Sequence, residues 1–253
     1  MIPGLRSLKR FLLLFIALAV VVGVFIVGGK VLREPVPTPT PDPREELEPI
    51  SVLFTKVFPV RENDYDVLAQ VRNPNQSYGS GNVRYALFAD GSEIFTDSFY
   101  IFPGQTKYVV ISPLQTDREI TNVSMRILSI DWRELDPLAL QGVNFVVTNS
   151  SYSSSPQVGV FGRLRGFVAN NSDFDVNRVD VAILLMDEEE NPVAINRTEI
   201  HTFLGHTTRG FEASWFDAFE GSPLRVDIEA HANLFEQSNF IRTYGGQERF
   251  QEF

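Results

Sequence analysis

The sequence predicts an all-β fold class, with two tandem β-sandwiches that follow one N-terminal transmembrane helix. Three observations support this prediction. An uncharged apolar run occupies residues 11–29. From residue 50 onward, apolar and polar residues alternate with a period of two between clusters of Gly, Pro, Asn and Asp, which is typical of strands joined by tight turns. The strand pattern then occurs a second time, which indicates a duplicated domain.

The apolar run reads FLLLFIALAVVVGVFIVGG and spans Phe11–Gly29. At about 1.5 Å of helical rise per residue it measures roughly 28 Å, close to the hydrocarbon thickness of a bilayer. Basic residues precede it within residues 1–10. The positive-inside rule therefore predicts a cytoplasmic N-terminus in a single-pass protein of the cell membrane, with the bulk of the chain extracytoplasmic. A cleaved secretory signal is the alternative, with Val27 and Gly29 as a poor cleavage site.

Residues 30–49 form the predicted stalk. Proline alternates with other residues through most of it, which favours an extended polyproline II segment that rises about 3.1 Å per residue. We interpret this segment as a spacer that lifts the following domains off the membrane, and a proline-rich docking ligand is the alternative. The prolines are Pro35, Pro37, Pro39, Pro41, Pro43 and Pro49.

The charge balance restricts the class of partner. All 32 Asp and Glu residues lie at Glu34 or later, together with 17 of the 22 Lys and Arg residues, so the chain from Glu34 onward carries a formal charge of −15. This charge argues against nucleic acid or an anionic lipid surface as a partner, because both require basic patches. The chain has no cysteine, which excludes disulfides and thiolate chemistry.

Six strands are predicted in β-sandwich domain 1, residues 50–132. Asp90-Gly91, between two apolar runs, is the strongest hairpin signal. The Gly79-Ser80-Gly81 segment is interpreted as a turn because of its glycines. The predicted strands are Ser51–Phe58, Tyr65–Arg72, Val83–Ala89, Glu93–Phe102, Thr106–Ser112 and Val123–Trp132.

A linker at residues 133–141 leads to β-sandwich domain 2, residues 142–235. Within this domain, Asn149–Pro156 is interpreted as a polar loop that cannot pack. The C-terminal tail, residues 236–253, is interpreted as an end that packs partly on domain 2, and a peptide that extends a partner's sheet is the alternative. The predicted strands are Val143–Thr148, Gln157–Ala169, Val179–Met186, Val193–Phe203, Thr207–Trp215 and Leu224–Ala232.

The two predicted domains form an internal repeat. Val71–Asp90 aligns with Val168–Asp187 without a gap, and an insertion near residues 188–191 shifts the alignment of the following strands. The matches are turn residues and core apolar residues, which a duplicated fold retains. Aligned pairs include Asn73 with Asn170, Leu87 with Leu184, and Gly104 with Gly205.

Each half carries a strand that ends in Leu-x-x-Asp, within Ala86-Leu87-Phe88-Ala89-Asp90 and Ile183-Leu184-Leu185-Met186-Asp187. With the order of strands and turns around it, this pattern resembles the bacterial FxLYD type of immunoglobulin-like β-sandwich domain. Neither half has the leading Phe or the Tyr of that motif, and the alternation around it is one residue out of phase between the halves. The resemblance implies an envelope-associated accessory or binding domain without a general catalytic site.

No catalytic residues are predicted, because the chain lacks cysteine, lacks a Gly-x-Ser-x-Gly elbow and contains only three histidines. Asp173, Asp175 and Asn177 are a weak calcium candidate, since oxygen ligands at alternate positions open a calcium loop. Arg178 and Leu184 stand where such a loop carries its Gly and its final Glu. No cofactor is predicted.

These observations together predict a membrane-anchored structural or adaptor protein of the cell envelope, and not an enzyme. Partner proteins are expected to bind the strand edges and loops of the two sandwiches. The alternative is the ectodomain of a ligand-binding receptor or adhesin that recognises a glycan or depends on calcium.

Overall fold

The computed structural model describes residues 47–135, 137–157 and 159–241. The predicted transmembrane helix and most of the predicted stalk lie outside these residues, as does the tail beyond Ile241. Among the helices that the structure describes, none is long and apolar enough to cross a membrane.

The described chain is all-β, with antiparallel strands that follow the period-two pattern of the sequence. Two short helices accompany them, α1 (Pro137–Gly142) and a 3-10 turn at Gln237–Asn239. The strands are β1 (Ser51–Arg61), β2 (Asp64–Arg72), β3 (Tyr78–Ala89), β4 (Ser92–Ile101), β5 (Thr106–Gln115), β6 (Ser124–Glu134), β7 (Phe145–Gln157), β8 (Val160–Asn170), β9 (Val176–Met186), β10 (Pro192–Phe203), β11 (Thr207–Trp215) and β12 (Arg225–His231).

The strands form four three-stranded sheets. In the first half, sheet A has the order β1-β2-β5 and sheet B the order β4-β3-β6. In the second half, sheet C has the order β7-β8-β11 and sheet D the order β10-β9-β12. The two halves therefore share one topology, as the internal repeat predicts. The Asp90-Gly91 hairpin is also confirmed, since both residues have positive φ, at 50° and 77°, as a type I′ turn requires.

Each half has its own apolar core between its two sheets. Alternate residues of β3, including Val83, Tyr85 and Leu87, face the core of the first half, and alternate residues of β9, including Val181 and Ile183, face that of the second. Side chains on the opposite face of each strand point away from these cores.

A third apolar cluster joins the two halves, which belong to one compact unit. It is formed by the outer faces of sheets A and D and therefore stacks one sandwich on the other. Its buried members are Phe58, Leu68 and Val110 from sheet A, and Leu184, Met186 and Ile195 from sheet D. Polar contacts surround this cluster, including Lys56 Nζ donating to the carbonyl of Pro192 at 2.7 Å and the Arg61–Asp217 ion pair at 2.8 Å.

The repeated asparagines perform the same task in each half. The side-chain amide of Asn73 donates to the carbonyls of Tyr78 and Phe102, and that of Asn170 donates to the carbonyls of Phe174 and Phe203. Both asparagines are fully buried. Because a buried amide must be hydrogen-bonded, each one ties the turn after its strand to the end of the fourth strand of its half.

The ungapped alignment of β3 with β9 is wrong by one residue. The turn from Asn73 to Tyr78 is one residue longer than the turn from Asn170 to Phe174, so the two strands shift relative to each other. Leu87 consequently packs in the core of its own half, whereas Leu184 packs between the halves. This shift is the physical reason for the phase difference noted in the sequence.

The prediction of a polar loop at Asn149–Pro156 is also wrong. These residues continue β7, which pairs with β8 as an edge strand of sheet C. An edge strand needs one partner for its backbone, and its polar side chains can remain in water. Tyr152 supplies the apolar contact, with its ring 5.8 Å from that of Trp215 in an edge-to-face arrangement.

The predicted turn at Gly79-Ser80-Gly81 instead belongs to β3, at an irregularity in its pairing with β4 and β6. The glycines are needed because Phe235, from the second half, lies against them. A Cβ atom at Gly79 would lie 2.7 Å from Phe235 Cζ, and one at Gly81 would lie 2.6 Å from Phe235 Cβ.

Candidate functional site: a polar cleft between the two halves

The outer face of sheet D is divided into two regions. Along β9 the outward positions are Arg178, Asp180, Ala182, Leu184 and Met186, so the strand is charged at its beginning and apolar at its end. The apolar end is covered by sheet A. The charged end forms one wall of a cleft of about 440 Å³, whose opposite wall comes from β4 and β5 of the first half. We call this space the interdomain cleft.

The strand register places charged side chains in rows across the sheet D wall of the cleft, which we call its floor. One row runs from Arg197 through Ala182 to Glu229. The next row runs from Glu199 through Asp180 to His231. The floor therefore presents both positive and negative groups to whatever occupies the cleft.

The second row places two carboxylates directly opposite each other, an arrangement that is destabilising unless cations compensate. Asp180 Oδ1 lies 3.2 Å from Arg178 Nε, and Glu199 Oε2 lies 3.2 Å from His201 Nε2. Each carboxylate therefore has a basic partner on its own strand.

Lys107 of β5 faces this floor from the first half, with only 8% of its surface exposed. Its Nζ donates to the carbonyl of Tyr100 at 3.1 Å and lies 3.8 Å from the centroid of the Tyr100 ring. Among the described residues, no carboxylate lies within ion-pair distance of this ammonium group. Burial lowers the pKa of Lys107 to about 8, against the opposing influence of Asp180 and Glu229.

Tyr100 of β4 lines the cleft beside Lys107 and is 7% exposed. Its Oη atom is buried and makes no hydrogen bond of acceptable geometry with the described residues. Burial raises the pKa of this phenol well above its usual value, and the nearby charge of Asp180 raises it further. An unpaired buried hydroxyl costs free energy, so this atom marks a place where the described residues leave a polar group unsatisfied.

Glu229 and His231 of β12 complete the polar wall. Glu229 Oε2 accepts a hydrogen bond from the backbone N–H of Tyr108 at 3.0 Å, which joins the two halves. Burial raises the pKa of Glu229 to about 7, although that hydrogen bond and the charge of Lys107 oppose the shift. Burial lowers the pKa of His231 to about 4, with a smaller contribution from Lys107, so its ring is neutral near pH 7.

The three residues of the calcium candidate have different surroundings in the structure. Asp173 Oδ1 lies 2.7 Å from His206 Nε2, and Asp175 Oδ1 accepts the backbone N–H of Gly205 at 2.7 Å. Asn177 is exposed on β9. In the part of the chain that the structure describes, no group of three or more His, Cys, Asp or Glu side chains is arranged to hold a metal ion.

The residues of the interdomain cleft were not identified from the sequence. Lys107 and Asp180 occupy strands in which an occasional charge is expected on a solvent-facing side, and only the stacking of the halves brings them to one cleft and buries Lys107. One signal was available, because the outward positions of β9 change from charged to apolar along the strand, whereas a solvated face stays polar.

No known family model matches this chain, and no curated protein matches it.

Proposed function

We propose that this protein is a membrane-anchored structural or adaptor protein of the cell envelope. It carries two immunoglobulin-like sandwiches outside the cytoplasm and acts by binding other proteins, without catalysing a reaction. The apolar run at residues 11–29 supports the anchor. The division of consecutive hairpins between two sheets supports the immunoglobulin-like assignment and the FxLYD resemblance.

The observation that carries the adaptor proposal is the stacking of sheet A on sheet D. The apolar cluster between these sheets fixes how the two halves are spaced, and an adaptor needs such fixed spacing to present two surfaces at once. The outermost sheets, B and C, each end in edge strands. Such strands offer unpaired backbone groups to a partner.

Site-specific crosslinking in intact cells tests this proposal, and the absence of native cysteine makes each introduced cysteine unique. Ser153→Cys on β7 and Ser129→Cys on β6 place a crosslinker on the exposed edges of sheets C and B. We expect at least one variant of the full-length chain to capture the same membrane protein reproducibly. A soluble version without residues 1–49 is the control and should lose this product. Recovery of only the protein itself, in both forms, would contradict the adaptor role.

A second candidate function, ligand binding, is favoured by the interdomain cleft. The buried Tyr100 hydroxyl makes no hydrogen bond of acceptable geometry with the described residues, and the Lys107 ammonium is buried without an ion-pair partner among them. Both groups cost free energy that a purely structural interface would not recover. A calcium-dependent form of this function would instead use Asp173, Asp175 and Asn177. Titration of the purified protein with calcium, followed by a shift in its thermal unfolding midpoint, tests that form.

A further inference from the structure

The interdomain cleft contains hydrogen-bond donors whose capacity the protein does not use. Lys107 has three N–H donors, and in the described structure one of them reaches an acceptor, the carbonyl of Tyr100. The adjacent Tyr100 hydroxyl can donate one hydrogen bond and accept two, and although the Asp180 carboxylate lies near it, it makes no bond of acceptable geometry with the described residues. Both groups are more than nine-tenths buried and line the same cavity. Both groups can therefore bond oxygen atoms of a molecule that enters the cleft.

The opposite wall of the cleft offers acceptors. The carboxylates of Asp180 and Glu229 face the same space, and each has made only part of the hydrogen bonds that its oxygens can accept. A ligand that only accepts hydrogen bonds would satisfy Lys107 and Tyr100 but would leave these carboxylates unsatisfied. The ligand should therefore both donate and accept.

The charges of the cleft exclude a strongly charged occupant. Its lining residues include the cations Lys107, Arg178 and Arg197, and the acids Asp97, Asp180, Glu199 and Glu229. Because the two signs nearly balance, an anion or a cation would gain little net attraction and would face repulsion from one of the two sets. A neutral molecule avoids this repulsion.

The size and the apolar parts of the cleft narrow the class of ligand further. A volume of about 440 Å³ falls in the range of small-molecule sites, which is about 300–1,000 Å³. Tyr108 and Ala182 contribute apolar surface beside the polar groups, and such surface can pack against the C–H face of a sugar ring.

We infer that the interdomain cleft binds a neutral, hydroxyl-rich small molecule, a mono- or disaccharide. In this arrangement Lys107 Nζ and Tyr100 Oη bond the sugar hydroxyls from one half, while Asp180 and Glu229 accept from them on the other half. The sugar therefore bridges the two sandwiches. This inference rests on ligand binding, the second candidate function, and is independent of the adaptor role.

Calorimetric titration of the full-length protein in lipid nanodiscs tests the inference. Nanodiscs are required because alkyl glycoside detergents themselves carry a sugar. The probes are glucose, galactose, mannose, N-acetylglucosamine, maltose and lactose, with sodium acetate and ethanolamine as charged comparisons. A soluble polysaccharide of the sugar that binds is then titrated in the same way. Saturation by the free sugar but not by the polymer indicates a free solute, and saturation by both indicates the end of a glycan chain.

Tyr100→Phe and Lys107→Met are the diagnostic variants, and Tyr152→Phe is the matched control in the second half. We expect at least one neutral sugar to saturate the wild type at one site. Tyr100→Phe should weaken this binding by about tenfold, as expected for the loss of one hydrogen bond of about 1.4 kcal/mol. Tyr152→Phe should leave the affinity within about twofold, because Tyr152 does not line the cleft.

Unfolding measurements separate a binding effect from a folding defect. Tyr100→Phe removes a buried hydroxyl that makes no hydrogen bond of acceptable geometry with the described residues, so its thermal unfolding midpoint should equal or exceed that of the wild type. The inference is overturned if none of the six sugars saturates the protein. It is also overturned if Tyr100→Phe binds as well as the wild type, or if acetate or ethanolamine binds in place of the sugars. None of these results bears on the crosslinking test of the adaptor role.

Discussion

At the scale of single residues, Glu229 links the interdomain cleft to the stability of the whole molecule. Its carboxylate accepts a hydrogen bond from the other half, yet its burial favours the protonated form. The folded-state pKa of about 7 exceeds the ordinary value of 4.5. The stability that this group contributes is therefore present in full below pH 4.5 and is lost as the pH rises through 7.

Glu229→Gln removes this titration and keeps a carbonyl oxygen for the Tyr108 N–H. We expect the variant to exceed the wild type in free energy of unfolding by about 1–3 kcal/mol at pH 8, and to show little difference at pH 4.5. Urea unfolding monitored by tryptophan fluorescence at the two pH values measures both quantities. Glu93→Gln, an exposed position on β4, is the control and should behave as the wild type. Equal dependence on pH in wild type and Glu229→Gln would show that this carboxyl is not the group responsible.

Some single residues could be identified from the sequence, and others could not. The alignment of Asn73 with Asn170 indicated a retained structural residue, and the structure gives both the same hydrogen bonds. Lys107 gave no comparable signal. Its burial depends on β9 and β12 of the other half, and the sequence pattern of one strand does not contain that information.

At the scale of elements, the period-two pattern predicted every strand of the described chain, but it did not predict their ends. The β7 strand extends through a segment rich in serine because backbone pairing at an edge does not require apolar side chains. The β3 strand begins earlier than predicted because its glycines accommodate Phe235 from a distant part of the chain. Both errors have the same origin, since the residues that pair with or pack against each strand end belong to another element.

Gly79→Ala tests the close approach between β3 and its neighbours. The added Cβ would lie 2.6 Å from the carbonyl oxygen of Ile101, and backbone cannot yield as a flexible side chain does. We expect a loss of about 1–3 kcal/mol in the free energy of unfolding, as for other overpacked sites. Gly210→Ala in β11 is the matched control, because its nearest neighbour, at 3.5 Å, is at ordinary van der Waals distance. A loss no larger than that of Gly210→Ala would mean that β3 is not closely packed at this point.

At the scale of the whole molecule, the central feature is that two sandwiches of one topology stack face to face. The duplication was visible in the sequence, but the stacking was not, because apolar residues on the outer faces of β2, β5, β9 and β10 resemble ordinary strand residues. The interdomain cleft follows directly from this stacking. Where apolar residues on sheet D end, the two halves separate and charged side chains line the space between them.

Nuclear Overhauser contacts between methyl groups test this stacking most directly. The measurement uses the full-length protein in nanodiscs with labelled Ile, Leu and Val methyl groups. We expect cross-peaks from Leu68 and Val110 of sheet A to Leu184 and Ile195 of sheet D, because these side chains form one buried cluster. Assigned methyl signals from both sheets without any cross-peak between them would show that the two sandwiches do not stack in this way, and would remove the basis for the interdomain cleft.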